Sequence, residues 1–169
     1  MNRIYRYFVE GECEEKLIDA LKMSSINGIL PGKVEVFNVI NKRLTPARLV
    51  IIPKDAVIIL VYDVDIEKTD ILEENLELLK THGYKHIHHV HSIYNFEDEM
   101  VFSTNITNIH KMYSTSNIEE FKTKFMHQSN ILNKLKRYKF DSNKLWSRLV
   151  KKGPFKKYSN EESIKLIKK

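Results

Sequence analysis

Acidic residues cluster at two places where an apolar segment of the chain ends. The stretch Val9 to Glu15 carries four glutamates within six residues, and the stretch Tyr62 to Asp65 carries two aspartates. Like charges this close repel one another, so each cluster needs a compensating interaction. Hard divalent cations such as Mg²⁺ prefer oxygen ligands, whereas acids in the first turn of a helix are stabilised by the helix dipole. The sequence therefore offers two interpretations, half of a metal site or an acidic start of a helix.

The helix dipole explains only part of this pattern. It stabilises each first-turn acid by roughly 0.3–1 kcal/mol, which accounts for Glu12 and Glu15. It does not account for Glu10, which precedes Gly11 at the end of a strand-like run. Asp63 and Asp65 lie two apart in an extended segment, so both carboxylates could reach one cation. We therefore predict that Glu10, Asp63 and Asp65 bind a metal ion.

The elements that must position these acids alternate between strand and helix. Period-two runs with β-branched and aromatic residues predict strands, and apolar residues three and four apart predict helices. The result is an α/β fold, a Rossmann-like layer with a mainly parallel four-stranded sheet and right-handed crossovers. The predicted strands span 3–11, 33–40, 56–65 and 85–94, and the predicted helices span 12–25, a short segment from Thr45, 67–83 and 95–105.

Parallel strands would bring distant acids together. The functional crevice of such sheets lies at the carboxyl ends of the strands. Glu10 would end the first strand, Asp63 and Asp65 the third, and Glu97 would begin the helix after the fourth. We therefore expect all four to lie on one rim of the sheet.

The C-terminal third differs in composition and charge. Residues 1–121 hold 13 Lys and Arg against 19 Asp and Glu, whereas residues 122–169 hold 15 against 3. Helical patterns cover 118–140, 142–152 and 160–169, which predicts an α/β domain over 1–106 and a basic helical C-terminal appendage over 107–169 packed on it. A solvated Lys-rich surface is one explanation, and a surface that binds the phosphates of DNA or RNA is the other. The candidate nucleic-acid-binding residues are Arg137, Lys139, Arg148, Lys151, Lys152, Lys156 and Lys157.

Bulk composition excludes several classes of protein. With 169 residues, 42% hydrophobic and 30% charged, the chain is typical of a globular protein. Its longest apolar run, 56–61, is far shorter than the ~18 residues of a membrane span, and we recognise no signal peptide. The lone Cys13 excludes an internal disulfide and favours a reducing, cytoplasmic location.

Other residues with chemical potential have simpler explanations. The run 86–91 places His86 and His88 on one face of a strand and His89 and His91 on the other. A closed zinc site needs further ligands that the sequence does not supply, although His91 could line the crevice. Trp146 is expected to anchor the terminal helices in the core.

The acidic motifs resemble a known family. "VEGECE" at Val9–Glu14 and "YDVD" at Tyr62–Asp65 are similar to the two signature motifs of TOPRIM domains, in particular the nuclease branch of OLD-family and RloB-like proteins. In that branch the first motif commonly reads Val-Glu-Gly-x-Thr-Glu, and Cys13 takes the place of Thr. "NFEDEM" at Asn95–Met100 is similar to a segment of RloB-like relatives. The resemblance covers residues 4–104.

This resemblance implies a Mg²⁺-dependent fold, with Mn²⁺ as a substitute, used by topoisomerases, primases and nucleases. The family's metal residues correspond to Glu10, Asp63, Asp65 and Glu14. Two departures from the family pattern argue against full topoisomerase or primase activity. Lys68 stands where topoisomerase-type domains have Gly, and no zinc motif, helicase module or ATPase loop is found.

The sequence thus leaves two functions open. The first is a Mg²⁺-dependent nuclease or nicking enzyme, with Glu14 or Glu97 supporting a second ion or acting as base, in phage defence or a mobile element. The second is a non-catalytic subunit that keeps the fold and binds nucleic acid or a partner protein. A homodimer and an operon-encoded partner both remain open, and no membrane association is expected.

Overall fold

The computed structural model describes residues 3–24 and 28–168. Strands and helices alternate over the first hundred residues, and helices dominate the remainder. The elements are β1 Tyr5–Val9, α1 Glu12–Lys22, β2 Lys33–Val36, α2 Pro46–Leu49, β3 Val57–Asp63, α3 Asp70–Thr81, β4 His86–Ser92, α4 Phe96–Phe102, α5 Ile118–His127, α6 Ile131–Arg137 and α7 Glu161–Ile167, with 3-10 turns at Ile109–Met112 and Pro154–Tyr158.

The four strands form one sheet in the order β2-β1-β3-β4, and every neighbouring pair is parallel. The α/β prediction is confirmed. Tyr5 pairs with Val57 at one end of the sheet, and Asp63 pairs with Ser92 at the other. All carboxyl ends therefore meet at the edge where β1 and β3 deliver their acids.

β3 is central because it is apolar on both faces. Residues 57–62 of this strand are buried, and helices cover the sheet on each side. On one face Val61 packs in a core with α1 and α5, and on the other Leu60 packs in a core with α3. This double burial fixes where β3 ends and therefore where Asp63 lies.

Most elements are one to three residues shorter at each end than predicted, so β1 ends at Val9 and β3 at Asp63, and Glu10 and Asp65 lie just beyond their strands.

The larger differences are at β2 and α1. β2 ends at Val36, whereas the prediction continued to Ile40. The chain turns there because the Asn38 side-chain oxygen accepts hydrogen bonds from the backbone N–H groups of Ile40 and Asn41, both at 3.0 Å. α1 ends at Lys22, and the predicted end at about Ser25 lies outside the described residues.

Residues beyond 107 contribute to the same core as the sheet. Phe121 and Phe125 of α5, Leu135 of α6 and Trp146 are buried in one cluster with Val9 and Val61. Trp146 is 1% exposed, so its predicted role as an apolar anchor is confirmed.

The helix predicted over 142–152 is wrong. The chain forms a turn over 142–146 and continues without regular structure to 151. Buried Glu99 of α4 explains this, because one of its oxygens accepts the Trp146 backbone N–H at 2.6 Å and the other accepts Arg148 Nη2 at 2.7 Å. These tertiary hydrogen bonds override the local helical pattern.

No helix in the described ranges combines the length and the apolar character that a membrane crossing requires.

Candidate functional site

The predicted acids meet at the carboxyl edge of the sheet and line two adjoining pockets. The inner pocket, of about 220 Å³, is lined by Glu10, Glu14, Asp63 and Lys122 among others. The outer pocket, of about 570 Å³, shares Glu10, Asp63 and Lys122 and adds Asp65 and Glu97. The parallel sheet thus brings together all five acids that the sequence singled out.

Glu10 is held in place through both carboxylate oxygens. Its Oε2 accepts the backbone N–H of Asp63 at 3.0 Å, and its Oε1 accepts Asn38 Nδ2 at 2.8 Å. Burial raises the pKa of Glu10. The negative charge of Asp65 adds to this rise, and the two hydrogen bonds oppose it. Asn38 orients this carboxylate and was not found by sequence reasoning, although its position two residues beyond β2 follows from the parallel pairing.

Asp63 combines an unpartnered oxygen with the pKa that is raised furthest among the acids of the site. Its Oδ1 is buried and has no hydrogen-bond partner. Burial raises the pKa of Asp63 to about 8, with Glu14 and Glu10 adding to the effect. The Ser92 hydroxyl offsets part of the rise, although its Oγ is itself without a hydrogen-bond partner. A buried carboxylate with a free lone pair is costly unless a cation or proton meets it.

Glu14 turns back over the start of α1. It is 4% exposed, and burial raises the pKa of its carboxyl to about 7, with Glu10 and Glu97 adding to this rise. A Cβ at Gly11 would lie 3.1 Å from Glu14 Oε2. Since Gly11 has extended backbone, with φ −145°, the restriction at this position is steric. Glycine leaves room for the carboxylate.

Lys122 of α5 places a positive charge against the acids. Its Nζ lies 3.2 Å from Glu97 Oε1, and the contact is an ion pair without hydrogen-bond geometry, since that oxygen has no hydrogen-bond partner. Burial alone would lower the pKa of Lys122, but Glu97, Cys13 and Glu14 raise it overall. Sequence reasoning missed this residue, which no local motif marks. Met126, one turn further along α5, lines the same inner pocket.

The two remaining acids line the outer pocket and not the inner one. Asp65 is exposed and reaches only the outer pocket. Glu97 is 8% exposed in the first turn of α4, which begins after Asn95. Asn95 is the N-cap of this helix, since its side chain accepts the Asp98 backbone N–H at 2.9 Å.

The donor set fits a hard divalent cation with few protein ligands. In residues 3–24 and 28–168, no three His, Cys, Asp or Glu side chains are arranged to hold a metal ion together. Mg²⁺ nevertheless uses one or two carboxylates and keeps several waters. The unpartnered oxygen of Asp63 and the raised pKa values of Glu10, Glu14 and Asp63 are what such an ion would relieve.

Cys13 lines the inner pocket but is unsuited to nucleophilic attack. Burial raises the pKa of its thiol to about 12, with Glu14 adding to the rise. The thiol therefore stays protonated at neutral pH, and the thiolate is the reactive form.

The histidines of β4 do not line either acidic pocket. As predicted, they divide between the two faces: His88 Nδ1 lies 3.4 Å from Ser163 Oγ of α7, whereas His89 and His91 face Tyr62 on the opposite side. Burial lowers the pKa of His89 to about 3 and of His91 to about 4.

The candidate nucleic-acid-binding cations do not all converge. Arg148, Lys151 and Lys152 line one groove of about 780 Å³ beside the acidic pockets. Arg137 ends α6 and Lys139 follows it, both exposed. The other two lie in the last 3-10 turn, where Lys157 Nζ is 2.6 Å from Glu73 Oε1.

Comparison of the chain with protein-family models, with curated proteins and with solved structures gives no match. The likeness of the two acidic motifs to TOPRIM domains therefore remains a prediction from the residues.

Proposed function

We propose that this protein is a Mg²⁺-dependent nuclease of TOPRIM type that cleaves or nicks the phosphodiester backbone of DNA or RNA. The observation that carries the proposal is Asp63, a carboxylate with one buried, unpartnered oxygen, grouped with Glu10 and Glu14 at the carboxyl edge of a parallel sheet. An open pocket with one lysine adjoins it, which gives a polyanion access.

Glu10 and Asp63, which line both pockets, would bind the Mg²⁺ directly, and Mn²⁺ could replace it. Glu14 in the inner pocket and Asp65 in the outer pocket would act through the waters that the ion keeps. The bound ion would supply Lewis acidity and charge neutralisation at a phosphate oxygen. Asn38 and the Asp63 backbone N–H fix the direction of the Glu10 carboxylate, which is the kind of outer support that metal ligands need.

Lys122 and Glu97 would act on the phosphate and on the attacking water. Lys122 offers a positive charge in both pockets, where it can stabilise negative charge that develops on the phosphate. Glu97 holds the ammonium at 3.2 Å and, with Glu14, is the candidate to accept the proton of the attacking water.

A cytoplasmic location and a role in phage defence or a mobile element belong to the same proposal. They rest on the motif resemblance and on the use of a single cysteine.

The ion pair of Lys122 with Glu97 favours one alternative, a non-catalytic subunit that binds nucleic acid or a partner protein. Because the lysine neutralises part of the acidic cluster without a metal ion, the same edge could be stable in a protein that has no cleavage activity.

Cleavage assays separate these functions. Wild type, Asp63→Ala and a control, Asp55→Ala, are incubated with labelled single- and double-stranded DNA and RNA in EDTA, Mg²⁺ or Mn²⁺. Asp55 is exposed and lies just before β3, at the opposite edge of the sheet. We expect metal-dependent cleavage by wild type and Asp55→Ala only. Salt-sensitive binding by all three proteins without cleavage would support the non-catalytic subunit instead.

A further inference from the structure

A second concave surface adjoins the acidic site. It lies between the loop after β3, the loop between β4 and α4, and the segment 148–155, and it encloses about 780 Å³. This volume is within the roughly 300–1,000 Å³ typical of ligand sites. We call it the lateral groove.

The lateral groove and the acidic pockets share their walls. Val64 lines the groove, while Asp63 and Asp65 on either side of it line the outer acidic pocket. In the same way Tyr94 lines the groove, and the next residue, Asn95, lines the outer pocket. A chain lying in the groove would therefore lead directly to the acids.

The chemistry of the lateral groove combines an exposed aromatic ring with cations. Tyr94 is 65% exposed, and Ile66 and Leu149 offer further apolar surface beside it. Lys151 and Lys152 are exposed in the same lining. Glu67 is the one acid that the described residues contribute to this lining. Stacking surfaces combined with positive charge are how proteins bind single-stranded nucleic acid.

Internal hydrogen bonds hold the groove in shape. The Val64 backbone N–H donates to the Tyr94 carbonyl at 2.9 Å, which joins two of the three segments. Arg148 joins the third, since its guanidinium donates to Glu99 at 2.7 Å and to the Ile93 carbonyl. Arg148 is thus occupied in positioning the groove, which leaves Lys151 and Lys152 as the cations for phosphates.

We propose that the lateral groove binds single-stranded nucleic acid, with an unpaired base stacked on Tyr94 and neighbouring phosphates on Lys151 and Lys152. A single strand fits because a duplex hides the faces of its bases and could not stack on the tyrosine. The inference that the strand continues into the acidic pocket rests on the proposed nuclease function, whereas the binding itself does not.

Binding is measured by fluorescence anisotropy with labelled 15-nucleotide single strands of DNA and RNA and with the matching duplexes. The full-length chain carries Asp63→Asn to suppress cleavage, and Tyr94→Ala, Tyr94→Phe or Lys151→Gln/Lys152→Gln is added. The control is Lys80→Gln/Lys85→Gln, which removes the same charge from exposed residues at the opposite edge of the sheet.

Tyr94→Ala should weaken single-strand binding about tenfold, the usual size of one base–aromatic stack, and Tyr94→Phe should retain it. The Lys151→Gln/Lys152→Gln pair should reduce the steepness of log K against log salt by about 1.4, from roughly 0.7 for each phosphate contact on a single strand. The control pair should leave that slope unchanged.

Photocrosslinking provides a second readout that does not depend on affinity. An oligonucleotide with one 5-iodouridine should crosslink to the tryptic peptide that contains Tyr94, and Tyr94→Ala should lose that crosslink. Equal affinity of Tyr94→Ala, no single-strand binding, or equal effects of the two lysine pairs would overturn the proposal. The DNA and RNA arms show which nucleic acid the groove prefers.

Failure of this inference is distinguishable from failure of the proposed function. Wild-type cleavage with normal binding by Tyr94→Ala would overturn the groove and leave the nuclease standing. Single-strand binding that depends on the lateral groove, without any metal-dependent cleavage, would overturn the nuclease and leave the groove standing.

Discussion

Two polar clusters lie back to back on β3, and their difference separates a structural network from a functional site. Tyr62 and Asp63 are neighbours in sequence and point to opposite faces of the sheet. Tyr62 faces His89 and His91, and Asp63 faces Glu10 and Glu14. The same strand contributes to both clusters, yet only the histidine cluster satisfies its hydrogen bonds internally.

The histidine cluster satisfies its own hydrogen bonds. The Tyr62 hydroxyl lies 2.9 Å from His89 Nδ1 and 3.0 Å from His91 Nε2. A hydroxyl donates one hydrogen and accepts another, so one imidazole accepts and the other donates while both remain neutral. Tyr158 closes the cluster by stacking on His89 with ring centroids 4.9 Å apart.

The acidic cluster is incomplete and open. Asp63 keeps an oxygen without a partner, and the carboxyls around it are held at raised pKa values. Buried polar groups are normally paired, so an unpaired group beside an open pocket points to a ligand. Burial alone therefore does not indicate function, whereas a buried group with unsatisfied hydrogen bonds beside an open pocket does.

The largest expected effect follows from Asp63→Asn. Because the buried Oδ1 of this carboxylate has no partner and Asp63 lines both pockets, we expect metal-dependent cleavage to fall at least about 100-fold. In EDTA above pH 8, where Asp63 is charged, the free energy of unfolding should rise, since a buried charge among like charges is removed. Rate assays and chemical denaturation check the two parts, and unchanged cleavage would contradict the first.

Asn38→Ala tests the support of Glu10. Loss of the 2.8 Å hydrogen bond to Glu10 should raise the metal concentration for half-maximal cleavage about tenfold. The control is Asn117→Ala, which removes a similar side-chain bond to the backbone at Glu120, at the start of α5 and outside the acidic pockets. Equal metal requirements in both variants would show that Asn38 has no role at the site.

Tyr62→Phe should affect stability and spare activity. It leaves two buried imidazole nitrogens without their shared partner, which costs about 1–3 kcal/mol in the free energy of unfolding. Urea denaturation measures that cost, and cleavage at a temperature where the variant is folded should match wild type. A loss of activity without a loss of stability would place the histidine cluster in the mechanism.

The smallest expected effect is on the pH dependence of stability in EDTA. A carboxyl whose pKa is raised in the folded state stabilises the fold at low pH, and this stability is lost as pH rises through the folded pKa. With Asp63 at about 8 and Glu14 at about 7, the melting temperature should fall between pH 6.5 and 8. His89 and His91 have lowered pKa values when folded, so above their ordinary pKa of 6.5 they are neutral in both the folded and the unfolded protein. They therefore do not add to the slope of melting temperature against pH in this window.

Calorimetry at several pH values checks this slope, and Asp63→Asn should flatten it. A melting temperature that rises over the same window in wild type would contradict the assigned protonation.

The positions of Glu10 and Asp63 in the site were predictable from sequence because the strand pattern determines them. The apolar run of β3 places Asp63 at the end of a buried strand, and parallel pairing then brings Glu10 beside it. Lys122 and Asn38 were missed because their contacts depend on tertiary packing, which local periodicity does not encode.

In the segment 142–152, tertiary contacts override a local pattern that predicts a helix. The apolar spacing of this segment is helical, but the hydrogen bonds of Glu99 to Trp146 and Arg148 hold it in a turn followed by a segment without regular structure. Glu99 lies in the first turn of α4, and nothing in its neighbourhood of the sequence indicates a partner 47 positions away.

The most direct test of the central claim is calorimetric titration of Mn²⁺ into the full-length wild type, Asp63→Asn and Tyr62→Phe at pH 7.5. The acidic cluster should bind the ion in wild type and in Tyr62→Phe with equal affinity, and Asp63→Asn should lose that binding. Equal binding by all three proteins, or no binding by wild type, would contradict the assignment of the carboxyl edge as a metal site.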